Sequence, residues 1–445
     1  MAWSMALLGY PYGPKGDYWI GTLGGTGFEA GRSIAIDSSD NFYVVGETTS
    51  GGVTNNVVLL IKYNSDGVIQ WQRTLGGTGL DYGASVSLDS TDNVYVTGTT
   101  SSPGGGGGSD LLLAKYSSSG SLQWQRTLGA SGTEKGLSVR VNSTDSIYVV
   151  GETYSRQGSR PDLLIAKYLS NGNQSWSRLL GGTGYTWGTS VTTDPLDYVY
   201  ALGYIRLAVY RKGRTSYLSQ DLALIKYDSN GAVIWQRKLG GSSGEYGISV
   251  ATRSSDNAYV AGYTSSNRLF LAKYDSVYGF EWQRTLGGTG FDRATSLAID
   301  SSENLYLLGY TASAGAGSED LLIAKYDSSG TIQWQRTLGG TGIEQGHAIA
   351  LDSAENICIV GQTASAGSGG ADLLIAKLPN DGSLTGTYTL NGVPLVYAAS
   401  SLSTINQTYP VALTSLTSYS GTVTNRGGTL TGATANSLTQ YQVGL

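Results

Sequence analysis

Residues 79–129, GLDYGASVSLDSTDNVYVTGTTSSPGGGGGSDLLLAKYSSSGSLQWQRTLG, contain one complete unit of a repeat that fills most of the chain. Gly83–Leu88 alternates small and apolar residues, the pattern of an inner strand where neighbouring units crowd together. Asp89–Asn93 has the composition of a turn, and Val94–Gly98 predicts a second strand. After a Gly/Ser loop, the nearly unbroken apolar run of Asp110–Tyr116 suits a strand buried on both faces. Ser118–Gly120 turns the chain, and Gln123–Leu128 predicts a fourth strand.

Trp19, Trp71, Trp124, Trp176, Trp235, Trp282 and Trp334 mark seven recurrences of this unit, spaced 47 to 59 residues apart. Such a period, built of short alternating segments without helical periodicity, indicates propeller blades rather than a helical solenoid. The predicted fold class is therefore all-β: a seven-bladed β-propeller of four-stranded blades. Its ends are complementary, because Tyr18–Leu23 is an isolated fourth strand and the seventh unit loses its pattern after Asp372–Leu378. The N-terminal strand is expected to close the last blade and cover its edge, with Thr385–Leu390 as the competing candidate. The domain reading is an N-terminal extension (1–17), the propeller (18–382) and a C-terminal β or extended docking arm (383–445).

The segments WQRTLGGTG, DSSDNFYVVGETTS and DLLIAKY resemble the SBBP repeat, a bacterial seven-bladed β-propeller family, over roughly residues 18–384. The opening MAWSMALLGYPYG is similar to the N-termini of structural proteins from marine cyanobacterial phages, in which such propellers also occur. This resemblance implies a non-enzymatic bacteriophage (cyanophage) virion protein of the tail, baseplate, fibre or capsid. It would serve as a rigid platform for protein–protein interaction or host attachment. Other virion proteins would be its partners, in multiple copies per particle, and a host surface glycan a further one. The alternatives are a glycan-binding receptor-recognition module and, third, a polysaccharide-degrading enzyme, since the fold alone fixes no activity.

Charge narrows the choice. Over 445 residues the formal net charge is −5 and the isoelectric point is about 5.1, which disfavours a nucleic-acid partner that needs a basic stripe. No stretch predicts membrane insertion. Met1–Pro11 lacks the basic start and long apolar core of an export signal, favouring synthesis in the host cytoplasm and a place in the virion. The one cysteine, Cys358, stands where other units have Tyr43 and Tyr95, so a buried structural thiol is expected.

Charges that recur in every unit, such as Lys62 and Lys115 or Arg73 and Arg126, read as inter-strand or inter-blade pairs with stems covering an aromatic layer. Glu29, Asp81, Glu134, Glu245, Asp292 and Glu344 precede the inner strand in six units. They would either ring the channel mouth and hold a hard cation, or each cap backbone N–H groups of its own TG turn. The DSSDN segments lack the Gly and Glu of a calcium loop and read as side-chain turns. His347, the lone histidine, aligns with Arg32, Ala84 and Leu137 beside the channel. No nucleophile–base set accompanies it, and no cofactor is implied.

Departures from the repeat point to partners. The fourth unit expands its loop to Tyr204–Gln220, where Arg206, Tyr210, Arg211, Lys212, Arg214 and Tyr217 form a basic, aromatic patch suited to an acidic subunit or an anionic glycan. From Ser383 onward Arg426 is the only charge, and apolar positions including Val393, Val396, Tyr397, Val411 and Leu413 suit docking by β-augmentation, on the propeller itself or on a neighbour.

Overall fold

A computed structural model describes residues 18–444 apart from 51–54, 103–107, 130–131, 156–159, 182–183, 212–213, 241–243, 255–256, 276–278, 368, 406–410, 414–416, 421–423, 428–430 and 434–438; the side chains of 207–219 and those beyond 404 are not described. Seven antiparallel sheets surround an axis, and among the described residues there is no helix. The unit quoted above becomes Asp81–Leu88, Val94–Thr100, Asp110–Tyr116 and Leu122–Gly129, counted from the axis outward. Blades one to six begin at Glu29, Asp81, Glu134, Tyr185, Glu245 and Asp292. Blade seven combines Glu344–Leu351, Ile357–Thr363 and Asp372–Leu378 with the N-terminal Trp19–Gly24, paired through Trp19↔Lys377 and Leu23↔Leu373. The N-terminal strand therefore closes the ring; Gly386–Leu390 instead forms a hairpin with Val393–Ala399 on blade six.

The hydrophobic core is divided among the seven gaps between neighbouring blades, with one cluster in each. The third strand supplies both neighbours, which is why its apolar run is unbroken: all five residues Asp110–Ala114 are buried. Cys358 lies in the cluster across the closure with Trp19 and Phe42, and burial pushes its thiol well above the ordinary range.

A polar clamp fastens outer strands to the next blade, through indole and guanidinium together in blades one to three and through Arg284 and Arg336 in blades five and six. Trp71 Nε1 donates to the Ser118 carbonyl at 3.2 Å, and Arg73 Nε donates to the Gly120 carbonyl at 2.8 Å. The guanidinium also stacks on its own tryptophan, 5.4 Å from the ring centroid. Trp124 and Arg126 repeat the arrangement on Ser170 and Gly172, and Trp19 carries it across the closure to Ser65 at 3.3 Å. The recurring arginines are thus inter-blade ties to carbonyls. The lysines pair mainly within a blade: Lys62 and Lys115 sit 3.4 and 3.3 Å from Asp37 and Asp89.

Each inner strand carries a one-residue bulge, at Arg32, Ala84, Leu137, Thr189, Ile248, Thr295 and His347. The bulge presses the preceding inner-strand carbonyl against the second strand, where a Cβ on Gly46 would lie 1.8 Å from the Ala30 oxygen. Only glycine fits there. Six of the seven bulged side chains are re-aimed into one mouth of the central channel.

The C-terminal segment is a belt. After the hairpin on blade six, Ser403–Ile405, Val411–Leu413, Thr417–Ser420, Thr424–Gly427 and Thr431–Ala433 pair with the outer strands of blades five, four, three, two and one, and Thr439–Gly444 pairs with the closing strand. Every outer edge gains a strand from this chain, so the docking residues are committed in cis. Tyr397 is fully buried and Val393 packs against its cluster; Val396 pairs with Gly339, and Val411 and Leu413 with Leu239 and Arg237.

Two outcomes test this architecture. Gly120 has φ +80°, and a Cβ there would meet the Trp71 ring at 2.8 Å; Gly120→Ala is expected to cost about 1–3 kcal/mol in denaturant unfolding. Truncation at Ser383 leaves the four-stranded blades but bares seven outer edges. The expected result is a lower melting temperature with concentration-dependent association by light scattering, and unchanged behaviour would show that the belt stabilises nothing.

Candidate interaction face

The two faces of the disc differ in kind. One, the turn face, carries the DSSDN-type turns. Asp37 Oδ1 accepts from the Ser39 and Asn41 amides, and Oδ2 from the Tyr43 hydroxyl at 3.2 Å. Asp40, Asp92 and Asp145 sit in the left-handed region at φ 59°, 61° and 57°, each bound by a serine of the preceding blade: Ser353, Ser38 and Ser90. These turns stitch neighbouring blades together. Behind them a central cavity of about 1060 Å³ is lined by all seven inner strands, mostly with Val, Ile, Ala and Ser, and with Arg140.

The other, the loop face, carries the TG turns and the connections between second and third strands. The six recurring carboxylates enter it but do not face one another. Glu29, Asp81, Glu134, Glu245, Asp292 and Glu344 are all 0% exposed. Glu29 accepts from the Gly25 amide and the Thr48 hydroxyl, both at 2.7 Å, and Glu344 accepts from Gly340 and Thr363, both at 2.6 Å. Asp81 and Asp292 hold Gly77 and Gly288 likewise, and Glu134 takes Thr153 and Ser155. Glu29, Asp81, Asp292 and Glu344 thus each cap a backbone N–H of their own turn. Among the described residues no group of three or more His, Cys, Asp or Glu side chains could hold a metal.

At the centre of the loop face is a mouth of about 590 Å³ lined by Arg32, Glu47, Tyr82, Lys135, His347 and neighbours. Arg32 pairs with Glu47, and Lys135 with Glu152 at 2.7 Å. His347 Nδ1 is 2.7 Å from the Gly31 carbonyl, which can only accept, so Nδ1 carries the proton. Its Nε2 then accepts from Arg32 at 3.3 Å. Burial, reinforced by the Arg32 charge, pulls the imidazole down to about 3. Its lone pair is engaged by an arginine, which leaves it unsuited to proton transfer.

Around this mouth, one cross-strand pair per blade refuses to repeat. It reads Ala30/Glu47, Tyr82/Thr99, Lys135/Glu152, Trp187/Tyr204, Tyr246/Tyr263, Arg293/Tyr310 and Gln345/Gln362. In blades four to six these residues, with Tyr185, join into one half-buried aromatic arc. Tyr185 stacks on Trp187 at 5.3 Å, Trp187 on Tyr204 at 4.8 Å, and Tyr246 on Tyr263 at 4.7 Å. Tyr204 meets Tyr246 edge-on across the blade boundary at 5.3 Å. The Arg293 guanidinium closes the series 4.6 Å over Tyr263. Tyr246 donates to Gln220 of blade four. Burial raises the phenols of Tyr154, Tyr204 and Tyr263, so they stay neutral donors.

The blade-four insertion is a β-hairpin rather than a loop: Val199–Arg211 pairs with Arg214–Tyr227, including Tyr210↔Thr215 and Arg211↔Arg214. Six residues beyond Ile205, it rises about 20 Å above the level at which the other blades end. Arg206 is exposed at its base opposite Tyr185. Tyr217 pairs with Ala208, and Lys212 lies outside the described residues. Sequence reasoning found the hairpin's composition but missed the arc. The signal was available in the seven copies themselves, where this pair of columns varies beside a pair that is almost always glycine, as at Gly31 and Gly46.

The imidazole yields a pH test. Folded His347 takes up its proton only near pH 3, whereas an unfolded chain does so near 6.5. Between these values the unfolded state binds more protons, so stability should fall as pH is lowered through that window. Nuclear magnetic resonance of the single imidazole is expected to show it neutral until about pH 3, and His347→Gln should remove its share of the acid slope.

The beta-propeller repeat (SBBP) family matches residues 70–105 and 175–205, each running from an outer strand into the inner and second strands of the next blade. An uncharacterized WD repeat-containing protein of Acanthamoeba polyphaga mimivirus is 20% identical over 352 residues, covering 56% of this chain and 25% of its own length. The chain thus spans about a quarter of that relative. Among solved structures, a protein of unknown function from Bacteroides caccae aligns at 12% identity and TM-score 0.40 over 72% of this chain and 93% of its own. Drosophila Plexin A in complex with Semaphorin 1b aligns at 7% and 0.39, over 81% and 86%. Because the repeat matches fall on strands that the geometry assigns to blades, the chain is a seven-bladed β-propeller whose units at 70–105 and 175–205 match the SBBP beta-propeller repeat.

Proposed function

We propose that this chain is a non-catalytic interaction platform that seats a partner on its loop face. One observation carries the reading: in a disc of nearly identical blades, the aromatic arc of blades four to six and the blade-four hairpin break the symmetry on one side of one face. Half-exposed Tyr and Trp bring large contact area at small entropic cost, and arginine at their margin extends it with charge. The belt leaves only short strands at the rim, which favours the faces over strand addition as the place where a partner is met.

The finer reading places the platform in a bacteriophage particle, as a tail, baseplate, fibre or capsid-associated protein made in the host cytoplasm. Its support is the likeness of MAWSMALLGYPYG to virion structural proteins. Partners would be other virion subunits, in multiple copies per particle, and a host surface glycan, with no nucleic acid and no membrane insertion. The net charge of −5 agrees with having no nucleic-acid partner, and among the described residues no helix is long and apolar enough to cross a membrane.

The test is to replace residues 206–220 by the short Ser265–Arg268 connection of blade five and to cross-link the variant and the parent chain in particles or lysate of the producing host. An unchanged melting temperature with lost cross-links supports the platform. Retained cross-links would move the partner site off the hairpin, and turnover of a polysaccharide panel would overturn the non-catalytic assignment.

A further inference from the structure

Resting on the platform reading, we infer that the loop-face mouth and its aromatic arc form a binding site for a neutral oligosaccharide. Two halves meet there with complementary chemistry. The wall formed by blades one to three presents fixed ion pairs, Arg32–Glu47 and Lys135–Glu152, in which a donor and an acceptor stand side by side. Adjacent hydroxyls of a sugar ring need that spacing, since each both donates and accepts. The cationic partner of each pair is the exposed one: the Arg32 and Lys135 side chains are 35% and 42% accessible, against 6% for each glutamate.

The second half is the arc. Tyr154 bridges the two, bonded to Trp187 while lying within electrostatic reach of Lys135 and Glu152. Sugar C–H bonds carry partial positive charge and are drawn to the negative π-face of aromatic rings, a contact that favours neutral, polyhydroxylated ligands. Within the mouth, charge balance selects against ionic ligands. Its two cations, Arg32 and Lys135, are each matched by a carboxylate, while Arg293, at the arc's far end, keeps its charge over Tyr263. His347 is neutral, and burial keeps the Tyr204 and Tyr263 phenols protonated. An anionic glycan would find no uncompensated cation in the mouth, and a cation no uncompensated carboxylate. The volume of about 590 Å³ lies within the roughly 300–1,000 Å³ usual for small-ligand sites.

The experiment is calorimetric titration of the full chain with a panel of neutral oligosaccharides (gluco-, galacto- and manno-configured) and a matched sulfated and sialylated panel, with tryptophan fluorescence as a second readout. The expected result is binding of at least one neutral sugar with little dependence on salt. Trp187→Leu should weaken it about tenfold, the worth of one lost ring contact. Because Trp187 also stacks within the disc, Lys135→Met serves as the second variant; it removes a mouth donor that is 42% accessible while keeping an unbranched stem, and is expected to weaken the same sugar with the fold retained by circular dichroism. Binding confined to anionic glycans and abolished by salt would overturn the inference, as would no binding of any neutral sugar, or neutral binding indifferent to both variants. The hairpin cross-links separate the two readings: their persistence without sugar binding removes only the oligosaccharide, and loss of both removes the platform as well.

Discussion

Everything in this disc depends on the tie between an outer strand and the next blade's turn. A blade buries its faces only against neighbours, so an isolated unit has nowhere to place its third strand's apolar run. The tryptophan–arginine clamp fixes how far one blade rotates against the next. Its indole and guanidinium bond to carbonyls of the same tight turn, and the turn glycine leaves no room for the ring to shift. Seven equal rotations must close. The closing tie is made by Trp19 on Ser65, so the first strand of the chain is held by contacts more than 350 residues away in blade seven and by blade one at once.

Closure leaves a second problem at the rim. Outer strands of a propeller expose unpaired backbone groups, a standing invitation to edge-to-edge association. This chain covers them with its own low-charge segment, run backwards around the disc at one short strand per blade. Low charge follows from the task, since the belt must lie flat along seven successive edges. Belt strands of three to seven residues are then the outermost edges, too short to template a long pairing. Serine–carboxylate stitches occupy the turn face, and the asymmetric surface lies on the loop face.

The blades, the closing strand and the buried cysteine were legible because each rests on a pattern that repeats or on a missing copy of one. The carboxylates were legible as turn caps but not as to which way they point. A bulge after Gly31 shifts the alternation of side chains, so Arg32 looks into the mouth while Glu29 turns to its own TG turn. Nearness to the axis says nothing about that parity. The belt was illegible for another reason: strands of three to seven residues carry too little periodicity to predict, and their partners lie in seven different blades. The insertion read as a loop because Arg, Lys and Gly suggested solvent, although its two arms pair through six residues past Ile205.

Repetition within one chain also distinguishes two kinds of departure. On the turn face, blade three has Asn142 and blade five has Arg253 where other blades have the turn aspartate. Each loss is absorbed locally: Lys167 donates to the Ser229 carbonyl, and Lys273 pairs with Glu281 at 2.9 Å. Those changes restore the same packing by other means and announce nothing. The departures at Trp187, Tyr204, Tyr246, Tyr263 and Arg293 behave differently. They bond to one another across blade boundaries and create a continuous half-exposed surface that no single blade requires for its fold. A disc held by clamps, stitches and a belt would be as closed with the plain repeat at these positions. The arc is the departure on which the proposed platform rests, because it adds surface without adding closure.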